Sequence, residues 1–291
     1  MRVEPVSTFA DLAFHGLAHV PLRGPESLHD PRYVAGCAAS MEPSAREPLA
    51  SDGPAIGAHI DAVGAGLAIQ WLPRLHRDAE SFARSAPLEL SELREDHGCD
   101  AHALGILQAT DQVTVEWLRA DLLLSQQAFL RARTELDGLV RAACAEIAAL
   151  LGSVRSVARP DRVGVALALG SRGRGFGDGV VVGVPAPWNG LDAATPAVLA
   201  LHEHAVVGAT GDHTRREWTA LTSVARGLVD AAGPLRIAHA RWLASLDLDA
   251  LSRDAERARL VEPEHAALMR ASPRDRASLL GAIAFPRQQK S

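Results

Sequence analysis

Residues 196–209 read PAVLALHEHAVVGA, and apart from three ionisable residues at its middle every side chain in the stretch is small or apolar. A helix of that composition is apolar on all sides and has to be buried. It therefore needs other elements packed around it, and it carries His202, Glu203 and His204 toward the interior. Successive helical positions turn by roughly 100°, so the three fan across about 200° of surface and at most two neighbours share a site. An unpartnered carboxylate or imidazolium in an apolar interior costs on the order of several kcal/mol, so whichever of them faces the core must be paired, neutral or bound to a metal.

The rest of the chain supplies helices to surround it. With 291 residues and 47% hydrophobic content, the protein can build one large domain or two modest ones around a real core. Ser7 or Thr8 caps a helix running to about His19, which Pro21, Gly24 and Pro25 stop. Pro54 suits the first turn of another, broken at Pro73. No proline occurs between Pro87 and Pro160, and Val113, Trp117, Leu118, Leu124, Phe129 and Leu136 recur at helical spacing. That segment is one long helix, or two joined near Thr134.

The period then changes. Val163, Val165, Leu167 and Leu169 alternate with other residues, and VVVGVP follows a glycine-rich loop, which predicts a β-hairpin. Two strands alone are marginal and must lean on helices. Thr195 and Pro196 supply the cap and first turn of the apolar helix, Gly208 with Gly211 ends it, and Asp212 begins the next. Further helices start near Pro234, Pro263 and Pro273. The expected fold is mainly α: a multi-helix globular domain with one β-hairpin, about 162–184, packed beside a buried helix, about 195–209. An N-terminal helical region, 1–160, and a hairpin-plus-helical region, 161–291, pack together as one compact unit.

Composition excludes several functions. A net charge of -5 and a pI near 6.2, without any basic tract, argue against nucleic acid, and 4% aromatics are too few for base-stacking platforms. Cys37, Cys99 and Cys144 are odd in number and far apart, which fits a reducing, cytoplasmic setting rather than a disulfide framework. Glu4 and Asp11 interrupt the N-terminal apolar residues, and no apolar run reaches membrane-spanning length, so neither a signal peptide nor a membrane is expected. Arginine supplies 29 of the 30 basic residues, codon usage typical of a GC-rich bacterial genome.

A strand-like VVVGV, a short loop and a helix carrying His-Glu resemble the zincin metallopeptidases, whose helix reads H-E-x-x-H. In that family the two histidines, one turn apart, bind zinc and the glutamate polarises the attacking water. The resemblance spans about 180–220. His202 matches the first ligand and Glu203 the general base, but the second ligand position falls on Val206, which cannot bind a metal. One branch of the family takes a carboxylate ligand from the following helix, where Glu217 is the candidate. The reading implied is a metal-dependent hydrolase of peptide or amide substrates, or a metal-binding derivative of one, using Zn or another divalent transition metal.

Other residues offer a missing ligand. His15 and His19 lie four apart on the first helix, the spacing with which two imidazoles grip one ion. Together with His202 they would make a three-ligand zinc site with an open position, Glu203 holding the water. In REDHGCDAHALG, the residues His97, Cys99, Asp100 and His102 are all ligand types, but paired cysteines are lacking and Asp100 serves equally as a helix cap. In GSRGRGFGDG, Arg172 and Arg174 alternate with Gly173 and Gly175, so this hairpin tip could wrap an anion or lie over a site as a lid; no G-K-[ST] follows to make it a P-loop. A competing reading is a non-catalytic helical interaction protein that presents a partner-binding face on 100–152.

Overall fold

The computed structural model describes residues 1–18, 20, 133–170, 172–176, 179–184, 192–211, 213–228, 231 and 233–245, with isolated positions between 35 and 84. His19, the cluster at 97–102, most of the 100–152 face and the helices expected near Pro263 and Pro273 lie outside the described residues. The described elements are β1 Arg2–Pro5, α1 Thr8–Leu17, α2 Asp137–Ser153, β2 Arg162–Ala166, β3 Gly173–Phe176, β4 Gly179–Gly183, α3 Ala194–Gly208, α4 His213–Gly227 and α5 Gly233–Ser245. Helix predominates, as the periodicity predicts.

The sheet departs from the expected hairpin. It has four strands in the order β1-β2-β4-β3. The two valine-rich runs, β2 and β4, pair in parallel, Val163 opposite Val180 and Val165 opposite Val182. The glycine-rich stretch between them, expected as a loop, is itself strand β3, antiparallel to β4 with Gly175 opposite Val180. The chain reverses into β3 and again out of it, so the runs flanking it point the same way. Val163, Val165, Val180, Val181 and Val182 are all buried, as expected of strands covered on both faces. A fourth strand, β1, pairs in parallel with β2 and is too short to stand out in the sequence.

Strand alternation sorts the helices onto the two faces. Val181 packs with Val6, Ala10, Phe14, Ala166, Ala168 and Leu169, the face covered by α1. Val180 and Val182 point the other way, into a core shared with Val163, Val165, Ile147 of α2, Val198 and Leu201 of α3 and Val224 of α4. Helix α3 is central there, packing on β3, β4, α2, α4 and α5.

Local chemistry sets the helix ends. The Asp192 carboxylate accepts from Ala194 N at 3.2 Å, Thr195 N at 3.3 Å and Thr195 Oγ1 at 2.8 Å. Helix α3 therefore starts one residue before Thr195, and Asp192 does the capping that Thr195 was expected to do. Its first half, through His202, is buried, while Glu203 onward rises toward solvent and Val207 is 39% exposed. Gly211, at φ 110°, turns the chain back so that α4 lies along α3. At the other end of the chain, Ser7 caps α1 by accepting from Ala10 N at 3.0 Å. The helix break expected near Thr134 falls at Leu136, just before α2. Among the described residues, no helix is long and apolar enough to cross a membrane.

Candidate metal site at the junction of helices α3, α4 and α5

The imidazole of His202 is 3% exposed and sits between two carboxylates. Its Nδ1 is 3.6 Å from Glu203 Oε1, and its Nε2 is 3.4 Å from Glu217 Oε2 on α4. Neither ring nitrogen makes a hydrogen bond. On a third side the ring meets Trp242 of α5, centroids 4.6 Å apart and planes tilted by 59°. Glu203 is anchored independently: its Oε2 accepts from Gly175 N of β3 at 3.0 Å.

That anchor depends on missing side chains. A Cβ at Gly175 would stand 2.5 Å from both Glu203 O and Val207 Cγ2, and one at Gly173 would lie 3.4 Å from Glu203 Cγ. The two glycines thus let α3 settle directly onto the edge strand. Glu217 reaches His202 because α4 folds back along α3, with the neighbouring Trp218 buried at 1% exposure to fix its rotation.

His239, also on α5, was not foreseen as a site residue. It is fully buried, and neither of its ring nitrogens has a hydrogen-bond partner. Its centroid lies 6.0 Å from Trp242. Burial, reinforced by the charge of nearby His202, pushes its pKa down to about 4. The sequence signal was the spacing of His239 and Trp242 in RIAHARWLAS, which puts both on one helical face.

The other expected residues are distributed as follows. His204, two positions past His202, is half-buried, and Val206 is half-buried where the motif would have its second histidine. His15 is buried on α1, across the sheet from α3, so it does not join His202; the companion His19 lies outside the described residues. The expected pairing of His15 with His202 required both helices on one face, and the alternation of Val180, Val181 and Val182 places them on opposite faces. Arg172 is exposed and Arg174 half-buried. Because Gly173 and Gly175 face α3, Arg174 lies on the opposite side of β3, away from His202; 173–176 is a paired strand rather than a lid.

No family model, curated protein or solved structure matches the chain.

Chemically, two carboxylates within 3.6 Å of one ring make this corner attractive to a cation. Among the described residues, no three His, Cys, Asp or Glu side chains converge on a single point. His202 Nε2 and Glu217 Oε2 do form a fitting pair: two ligands about 2.0–2.2 Å from a tetrahedral metal stand about 3.4 Å apart.

Proposed function

We propose that this corner is a zincin-like hydrolytic site, acting on peptide or amide substrates, in which His202 and Glu217 hold a divalent transition metal and Glu203 is the general base. The observation carrying the reading is the His202 Nε2 to Glu217 Oε2 distance of 3.4 Å, between a buried ring nitrogen with no hydrogen bond and a half-buried carboxylate. Mixed nitrogen and oxygen donors suit zinc. When bound, zinc would polarise the substrate carbonyl and acidify a water.

The protein's own contribution is positional. Gly175 N–H fixes Glu203 Oε2, so the carboxylate cannot swing freely, and Oε1 is held beside Nδ1 of His202, on the ring edge away from Nε2 and Glu217. Trp242 packs on that ring and limits its rotation. The edge strand β3, against which Glu203 is fixed, is the element along which an extended substrate would reach the base.

The test is elemental analysis of the purified full-length protein, followed by zinc titration and hydrolysis of a peptide library. Stoichiometric zinc binding is expected, abolished by His202→Ala and weakened by Glu217→Gln. Glu203→Gln should keep the metal and lose hydrolysis. A wild-type protein that neither carries nor takes up a transition metal overturns the reading and leaves the non-catalytic interaction protein in its place.

A further inference from the structure

We infer that Glu203 is a latch on the outer edge of β3: an extended acidic peptide pairs with that edge only by taking the Gly175 N–H from the Glu203 carboxylate. Strand β3 is the last in the sheet, and among the described residues no strand pairs with its far side. Arg172 O accepts from Gly183 N at 2.7 Å, and Arg174 stands opposite Val181. Backbone groups alternate in direction along a strand, so those of Arg172 and Arg174 face β4 while those of Gly173 and Gly175 face outward. The Gly175 N–H accordingly finds its acceptor not in β4 but in Glu203 Oε2, at 3.0 Å.

Glu203 therefore reaches over the edge from α3 and occupies the donor that an added strand would bind with a peptide carbonyl. A carboxylate accepts that N–H more strongly than a neutral carbonyl does, so the contact opposes strand addition. What surrounds the edge selects the occupant. Outward-facing backbone groups recognise an extended backbone, and cross-strand neighbours project to the same face of a sheet. Peptide residues beside Arg174 and the exposed Arg172 thus share the face of two guanidinium groups, away from α3, where acidic side chains are favoured. The residue beside Gly175 projects toward Val207 of α3, 39% exposed, where an apolar side chain fits. Pairing exchanges one acceptor for another on Gly175 N–H and releases Glu203 Oε2. If the hydrolase reading above holds, on which this consequence alone rests, the peptide itself thereby frees the general base; the latch needs no metal.

The probe is a blocked, fluorescein-labelled peptide of alternating glutamate and valine, and the readout is fluorescence anisotropy with full-length wild type, Glu203→Ala and Glu203→Gln. Chelator in the buffer prevents metal-dependent turnover of the probe. Glu203→Ala leaves Gly175 N–H open and should bind the peptide about 10- to 100-fold more tightly than wild type, the worth of one charge-assisted hydrogen bond. Glu203→Gln also loses the charge but keeps an oxygen that accepts the N–H, so its gain should be clearly smaller. A copy of the peptide N-methylated throughout, which has no N–H groups to pair, should bind neither wild type nor variant, a control independent of how any variant folds. An alternating lysine and valine peptide should bind more weakly than the glutamate one. Affinity in Glu203→Ala within about twofold of wild type, equal gains in the two variants, or full binding of the N-methylated copy overturns the latch. Equal binding of the lysine peptide overturns the acidic occupant. None of these outcomes bears on metal uptake: an unchanged affinity in Glu203→Ala alongside lost hydrolysis removes the latch and leaves Glu203 as the base, while a metal-free wild type removes the hydrolase and leaves the latch.

Discussion

Arg133 Nε donates to Asp11 Oδ2 at 2.8 Å, linking side chains 122 positions apart in the chain. The same carboxylate accepts from Leu167 N at 3.1 Å and Ala168 N at 2.9 Å, just past the end of β2. Arg133 also donates to Val6 O at 3.4 Å and Asp137 Oδ1 at 3.1 Å. One buried pair thus ties α1, the start of α2 and the end of β2 together. Burial pushes the Asp11 pKa up, against the lowering by its two peptide donors and Arg133, so the carboxylate's environment is expensive and its partners are needed.

Removing either partner strands the other charge in the interior. Asp11→Ala and Arg133→Ala are each expected to lower unfolding free energy by about 3–5 kcal/mol in urea titrations. The double variant should cost clearly less than the sum of the two, because it leaves no orphaned charge. Losses below about 1 kcal/mol in both single variants would show that the pair is not a structural tie.

The contact of α3 with β3 predicts a contrast between two glycines. Gly175→Ala must push Glu203 and Val207 away from the strand and should cost about 1–3 kcal/mol. It should also weaken zinc uptake by displacing the helix that carries His202. Gly208→Ala, at the end of the same helix with open space around it, should change stability by no more than about 0.5 kcal/mol. Thermal melts of the two variants side by side check this, and equal effects would count against the packing described.

His239 predicts a pH dependence in chelator-treated, metal-free protein. Its pKa is about 4 in the fold against 6.5 for the ordinary side chain. Between those values the unfolded chain binds more protons, so the His239 contribution to stability is intact above pH 6.5 and is lost as pH falls toward 4. The slope approaches about 1.4 kcal/mol per pH unit at most. His202, on α3, and the uncharged ring of Trp242 face His239, and the stability difference between wild type and His239→Phe separates its contribution from that of other titrating groups such as Asp11. That difference should move steadily in favour of the variant as pH is lowered through this window and stay constant above it. A difference independent of pH would contradict the burial of the ring.

Cys144 should be chemically quiet. Its thiol is 5% exposed and its pKa is pushed up to about 11, chiefly by burial. Alkylation at about pH 8, followed by mass mapping of that residue, should be slow in the native protein and fast in denaturant, since only the thiolate reacts. Rapid labelling without denaturant would mean that the core around α2 opens readily.

The start of α1, the break before α2 and the burial of α3 through His202 follow from local pattern: caps, glycines, prolines and the 3.6-residue period act over a few residues and are legible in the chain. Tertiary structure decided the rest. Whether the valine runs pair in parallel depends on what the glycine-rich stretch between them does, and the absence of side chains at Gly173 and Gly175 becomes intelligible only once α3 lies against them. Which side of the sheet each helix covers is a property of connections between elements rather than of any one element. That is why His15 and Arg174, attractive in sequence, fall on the far side from His202, while His239, marked in the sequence only by its spacing from Trp242, is carried toward it by the packing of α5.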